Sequence, residues 1–97
     1  MKRKEDTKEI LKEEIRRSDG FEYIYRLIVR KSARVASYKL PLYSIRIELN
    51  GNGKHTEYEL TDIFADGGKA VTFFQEMVDN LVTPIDLPFI LEDKIMT

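Results

Sequence analysis

The sequence predicts an α+β fold: a three-stranded antiparallel β-meander with two C-terminal helices packed on one face and a marginal N-terminal helix. Apolar residues recur at helical spacing after Asp66, and they leave the polar residues on the opposite side. Phe21 to Arg30 alternates with the period of a strand, and the run Asn50 to Gly53 is typical of a tight hairpin turn. The helical stripe must be buried, and the sheet is the surface that buries it.

The length and composition indicate one globular unit. The chain has 97 residues, of which 42% are hydrophobic and 34% are charged, and a domain of this size has one modest core. We expect residues 1–20 to form an N-terminal helical extension and residues 21–97 to form a single β-β-β-α-α domain.

The absence of cysteine excludes disulfides, thiolate metal sites and a cysteine nucleophile. The basic start from Met1 to Lys4 is followed by Glu5 and Asp6, where a secretory signal would have an apolar segment. We therefore expect a cytoplasmic protein with no membrane partner.

Asp6 to Arg17 is predicted to be a helix, because Asp6 and Glu9 have the spacing of a capping box. The run Ser18-Asp19-Gly20 is expected to end it. The apolar stripe of this helix is narrow, so we expect only weak docking. It consists of Ile10, Leu11 and Ile15.

Phe21 to Arg30 is predicted to be an inner strand, with an aromatic face on the helices and a partly covered face that holds Ile24 and Ile28. The second strand either has Pro41 at a sheet edge or begins only at Leu42, since proline cannot donate to a ladder. The third strand is predicted to run from Lys54 to Thr61, and the residues up to Phe64 are expected to leave the sheet and tuck under the first helix.

Asp66 is predicted to cap the first C-terminal helix. The hinge from Val82 to Ile85 leads to the second C-terminal helix, for which either Thr83 or Asp86 could be the cap. Asp86 is favoured because it places Pro88 in the first turn, where a missing N–H is harmless. This helix is then expected to run from about Leu87 to Ile95.

Several short runs resemble a family of small uncharacterised proteins from clostridia and related Firmicutes, over about Tyr23 to Ile95. The chain departs from the family pattern at Asp86, where the family tends to have histidine, and at Pro88, which replaces an aliphatic residue. The family has no assigned activity, so the resemblance implies the architecture and no function. The matching runs are Tyr25-Arg26-Leu27, Tyr43 to Glu48, Glu59 to Ile63, the helix start at Asp66, Thr83 to Leu87, and Leu91-Glu92-Asp93.

Two acidic groups could hold a cation. His55, Glu57 and Glu59 share one face of the third strand, although a solvated strand face is the favoured interpretation. Asp86 could join the adjacent pair at residues 92–93, but neighbouring helical side chains diverge. The sequence also contains no phosphate loop and no serine elbow. We expect no metal, no cofactor and no enzymatic activity.

The charge is unevenly distributed: residues 26–46 contain six Lys or Arg and no acid, whereas residues 47–97 contain ten acids and three bases. The expected contact residues for a partner or for nucleic acid are Arg30, Lys31, Arg34 and Lys39. Basic and acidic segments can also attract each other within or between chains. We expect a small non-catalytic interaction or regulatory module that forms a homodimer and has an unidentified protein partner. Nucleic-acid binding through Arg30, Lys31 and Arg34 is the alternative.

Overall fold

A computed structural model describes the backbone of residues 6–32 and 41–90 and the side chains of residues 8–30 and 41–90. One antiparallel sheet has its four strands in sequence order. A helix packs on one face of it, and a short helical segment follows at residues 87–90. The elements are β1 (Asp6–Ser18), β2 (Phe21–Ser32), β3 (Leu42–Gly51), β4 (Lys54–Phe64) and α1 (Gly67–Asp79).

The predicted N-terminal helix is wrong, because Asp6 to Ser18 forms β1 and raises the number of strands from three to four. Asp19 and Gly20 have φ values of 51° and 82°, and Ser18 pairs with Phe21 across them. Positive φ at both central residues is the geometry of a two-residue hairpin turn, for which Asp-Gly is a favoured sequence. The run that was expected to end a helix therefore joins two strands.

A bulge in β1 explains why its pattern resembles a helix. Ile10 pairs with Ile28 and Lys12 with Leu27, so Leu11 is an extra residue without a counterpart on β2. A bulge breaks the alternation of a strand. The capping-box spacing of Asp6 and Glu9 in β1 is therefore coincidental.

The other three strands are close to their predicted positions. β2 confirms the predicted first strand. β3 begins at Leu42, which was one of the two alternatives for the predicted second strand. The turn between β3 and β4 has Asn52 and Gly53 at φ values of 52° and 71°. Residues 33–40, which connect β2 to β3, lie outside the described residues.

The predicted end of the third strand at Thr61 is wrong, because β4 continues to Phe64. The ladder with β3 shifts register near Tyr43, and Asp62 there has a φ of 54°. Its backbone N–H donates to the buried Ser44 Oγ at 2.8 Å, so the irregular residue keeps a hydrogen-bond partner. The expectation that Phe64 lies under the helix is confirmed, because its ring is 5.4 Å from that of Phe73.

Asp66 caps α1 as predicted: its side chain accepts from the backbone N–H groups of Gly68 at 2.8 Å and Lys69 at 3.2 Å. The buried stripe of the helix lies on the aromatic face of β2 and the adjoining strands. This stripe consists of Ala70, Phe73, Phe74, Met77 and Val78.

The short helical segment begins where it was predicted, since the N–H of Ile90 donates to the carbonyl of Asp86 at 3.2 Å. Thr83 organises the preceding turn, because its carbonyl accepts from the N–H groups of Asp86 and Leu87. Leu87 is fully buried in the core, so both C-terminal segments pack on one face of the sheet. The expected continuation to Ile95 lies outside the described residues.

Tyr25 joins the sheet to the chain that follows α1. Its fully buried side chain donates from the hydroxyl to the carbonyl of Val82 at 3.0 Å. Burial, with a smaller contribution from the neighbouring Tyr23, raises the pKa of this phenol well above its ordinary value of 10.0. The folded state therefore favours the neutral phenol.

We expect Tyr25→Phe to lower the free energy of unfolding by about 1–3 kcal/mol, because it leaves the buried carbonyl of Val82 unsatisfied. The raised pKa stabilises the fold fully below the ordinary pKa, and this stabilisation is lost as the pH rises through the pKa of the folded state. The stability of the wild type should therefore fall more steeply above pH 10 than that of Tyr25→Phe. Urea unfolding at a series of pH values measures both effects, with the exposed Tyr58→Phe as control.

Candidate functional site

The face of the sheet opposite α1, called here the open face, carries a group of aliphatic side chains. Ile10 lies opposite Ile28 and Ile15 lies opposite Ile24, so two isoleucine pairs cross from β1 to β2. We call these four residues the aliphatic patch. Ile10 is 56% exposed and Ile15 is 46% exposed, while Ile24 and Ile28 are half-buried. The predicted partial covering of Ile24 and Ile28 is confirmed.

Glu48 is the centre of a charge network on the same face. Arg26 and Arg46 lie directly opposite each other on β2 and β3, where two cations would repel. Glu48 Oε2 lies between them and accepts from Arg26 Nη1 at 2.7 Å and from Arg46 Nε at 3.1 Å. Its side chain is only 15% exposed. One carboxylate therefore compensates two guanidinium groups.

The network continues to both edges of the sheet. Arg26 Nε donates to Glu13 on β1 at 2.6 Å, and Arg46 contacts Glu57 and Glu59 on β4. The hydrogen bond to Glu13 is the largest of the effects that raise the pKa of Arg26. Partial burial lowers the pKa of Arg46, but the bond to Glu48 and the charge of Glu57 outweigh it and raise that pKa. Both guanidinium groups thus remain charged.

The predicted trio of His55, Glu57 and Glu59 is only partly brought together. His55 Nε2 lies 3.1 Å from Glu57 Oε1, and this hydrogen bond is the main cause of a lowered pKa for Glu57. The third residue near them is Glu48, and one ligand atom from each of the three lies within 4.8 Å of the others. Arg46 contacts both carboxylates and would repel a divalent cation. The arrangement is that of a salt-bridge network.

Of the predicted basic contact residues, the structure describes the side chain of Arg30. Arg30 donates from Nε to Asp62 Oδ1 at 3.2 Å and makes a second bond to Asp62 Oδ2, so the two side chains form a bidentate pair. The side chain of Lys31, together with Arg34 and Lys39, lies outside the described residues. Residues 26–46 contain no acidic residue, so Arg30 is paired with a carboxylate from another strand.

Sequence reasoning missed Glu48 and Arg26 as members of a charge network. Glu48 could have been found by counting outward from the turn at Asn52 and Gly53, because that register places it opposite Glu57. The contact between Arg26 and Glu13 could not be found without β1, which supplies Glu13.

The family described as "Family of unknown function (DUF6514)" matches residues 3–97. The chain belongs to this family. Membership in DUF6514 agrees with the resemblance to a family without assigned activity, and it extends the match from Tyr23 back through β1. No curated protein and no solved structure matches the chain. Within the described residues, no helix is long and apolar enough to cross a membrane.

Proposed function

We propose that this DUF6514 protein is a small non-catalytic interaction or regulatory module that acts through protein–protein contacts. The observation that supports this is the aliphatic patch, whose two isoleucine pairs lie on the sheet face opposite α1, on either side of the Glu13–Arg26 ion pair. Exposed apolar groups mark protein-binding surfaces, and arginine is enriched in such surfaces. We also propose a cytoplasmic location in clostridia and related Firmicutes.

The chemistry of the patch indicates the kind of partner. A protein that presents aliphatic side chains would displace water from Ile10 and Ile15, which are the most exposed members. The charge network runs between the two isoleucine pairs and is already internally paired, so it adds orientation more than affinity. Arg26 would then lie inside the contact, between the two isoleucine pairs, and Glu48 would lie beside it.

Nucleic-acid binding through Arg30, Lys31 and Arg34 ranks second. Asp62 neutralises Arg30, and carboxylates likewise neutralise Arg26 and Arg46. A phosphate-binding surface needs cations that neutralise phosphates and so release the counterions condensed on the nucleic acid. Arginines that are already paired with carboxylates neutralise phosphates less effectively.

Affinity capture from the host lysate, with and without nuclease, tests the proposal. We expect a defined protein to be captured regardless of nuclease and to be lost with Ile10→Lys, because a charge in the patch would be desolvated on binding. The control is Ile85→Lys, at a position that is 69% exposed and follows α1. Capture that nuclease abolishes, or a partner that Ile10→Lys and Ile85→Lys retain equally, would contradict the proposal.

A further inference from the structure

Among the described residues β1 is an edge strand, so one side of its backbone faces no other strand from that part of the chain. Such edges pair with further strands unless bulges or unfavourable charges prevent it. The bulge at Leu11 disturbs the first half of β1, whereas Lys12 to Ser18 follows β2 in unbroken register. The second half is therefore geometrically suited to accept a strand.

The charges in this half have a self-complementary order, Glu13-Glu14-Ile15-Arg16-Arg17. Two antiparallel copies centred on Ile15 place Glu13 opposite Arg17 and Glu14 opposite Arg16, twice each. A shift of the centre to Glu14 or to Arg16 instead places like charges opposite each other, which is destabilising. The sequence thus favours one register.

The direction of the backbone N–H and C=O groups favours the same register. Counting from the two-residue turn at Asp19 and Gly20, the groups that point away from β2 belong to Arg17, Ile15 and Glu13. Antiparallel pairing centred on Ile15 brings these outward-pointing residues opposite one another. Backbone direction and side-chain charge therefore agree.

We propose that a second copy of this chain pairs with β1 in antiparallel orientation, centred on Ile15, and forms an eight-stranded sheet about a two-fold axis. An isologous contact of this kind closes on itself and does not propagate into fibres. Ile15 would meet its own counterpart and join the two aliphatic patches. This proposal does not depend on the proposed function, because it concerns the edge of the sheet, whereas the proposed function concerns binding of a partner protein to the open face.

Charge reversal at Glu14 and Arg16 tests the pairing. These side chains contact each other at 3.0 Å within one chain and are partly exposed, so reversal should leave the fold intact. We expect light scattering after size exclusion to give a dimer for the wild type at tens of micromolar. Glu14→Arg alone and Arg16→Glu alone should each raise the dissociation constant about tenfold or more, because like charges then meet twice.

Complementation identifies the cause of that loss. An equimolar mixture of Glu14→Arg and Arg16→Glu should form a heterodimer, and the double variant should form a homodimer again. Lys69→Glu and Asp79→Arg make charge changes of the same size on exposed positions of α1 and should leave the dimer unchanged. Far-UV circular dichroism and urea midpoints verify that each variant is folded.

Three outcomes would overturn the proposal. These are a monomeric wild type, a dimer that both single reversals leave unchanged, and a failure of the mixture and the double variant to restore association while all chains remain folded. A dimer that survives both reversals but is lost with Ile28→Lys would place the second copy on the open face instead of on β1.

Discussion

Phe74→Ala should lower the free energy of unfolding by about 3–5 kcal/mol, the usual loss when a buried phenylalanine leaves a cavity. Phe74 is fully buried in the core between α1 and the sheet. A domain of this size has a total stability of about 5–15 kcal/mol, so the variant would lose a large part of it. Chemical denaturation monitored by circular dichroism measures the change.

Val71→Ala is the matched control for Phe74→Ala, because Val71 lies on the same helix with its side chain exposed. Its effect should stay within about 0.5 kcal/mol, as is usual for surface positions. Equal effects of the two substitutions would contradict the assignment of the buried face of α1.

Glu48→Ala should lower the free energy of unfolding by about 1–3 kcal/mol, because it leaves partly buried charged groups without their shared partner. Arg26 and Arg46 would then face each other across β2 and β3 without the intervening carboxylate. The loss should be measured by urea denaturation at low and at moderate salt, since salt screens the repulsion that remains between the arginines.

Glu22→Ala provides the comparison for Glu48→Ala. Glu22 makes a 3.0 Å ion pair with the largely exposed Arg17, and such surface pairs contribute about 0–1 kcal/mol. If Glu48→Ala were no more destabilising than Glu22→Ala, the shared carboxylate would not be the centre of the network.

The parts of the fold that the sequence predicted correctly have local signals. Asp66 precedes a helix whose apolar stripe is continuous, and Asn52-Gly53 accepts the positive φ that its hairpin requires. The start of β3 at Leu42 is one of the two alternatives that the missing N–H of Pro41 left open. Each of these conclusions depends on residues that are close together in the chain.

The features that the sequence did not reveal depend on pairing between distant residues. Leu11 forms a bulge, so the alternation of β1 is broken and a helical spacing results by coincidence. Without β1 there was no strand to bring Glu13 to Arg26. The pairing of Arg30 with Asp62 likewise joins residues that are 32 positions apart.

The placement of Asp6 to Ser18 as an edge strand beside β2 is central, because it forms the aliphatic patch and the edge for self-pairing. Nuclear Overhauser spectroscopy on the isotope-labelled chain tests it most directly. We expect contacts between the Hα protons of Ile15 and Ile24 and between those of Glu13 and Arg26, since such cross-strand pairs bring their Cα atoms to about 4.5 Å. Contacts from the Hα of Ile10 to the amide of Glu13, with none from Ile15 to Ile24, would show a helix and contradict the account.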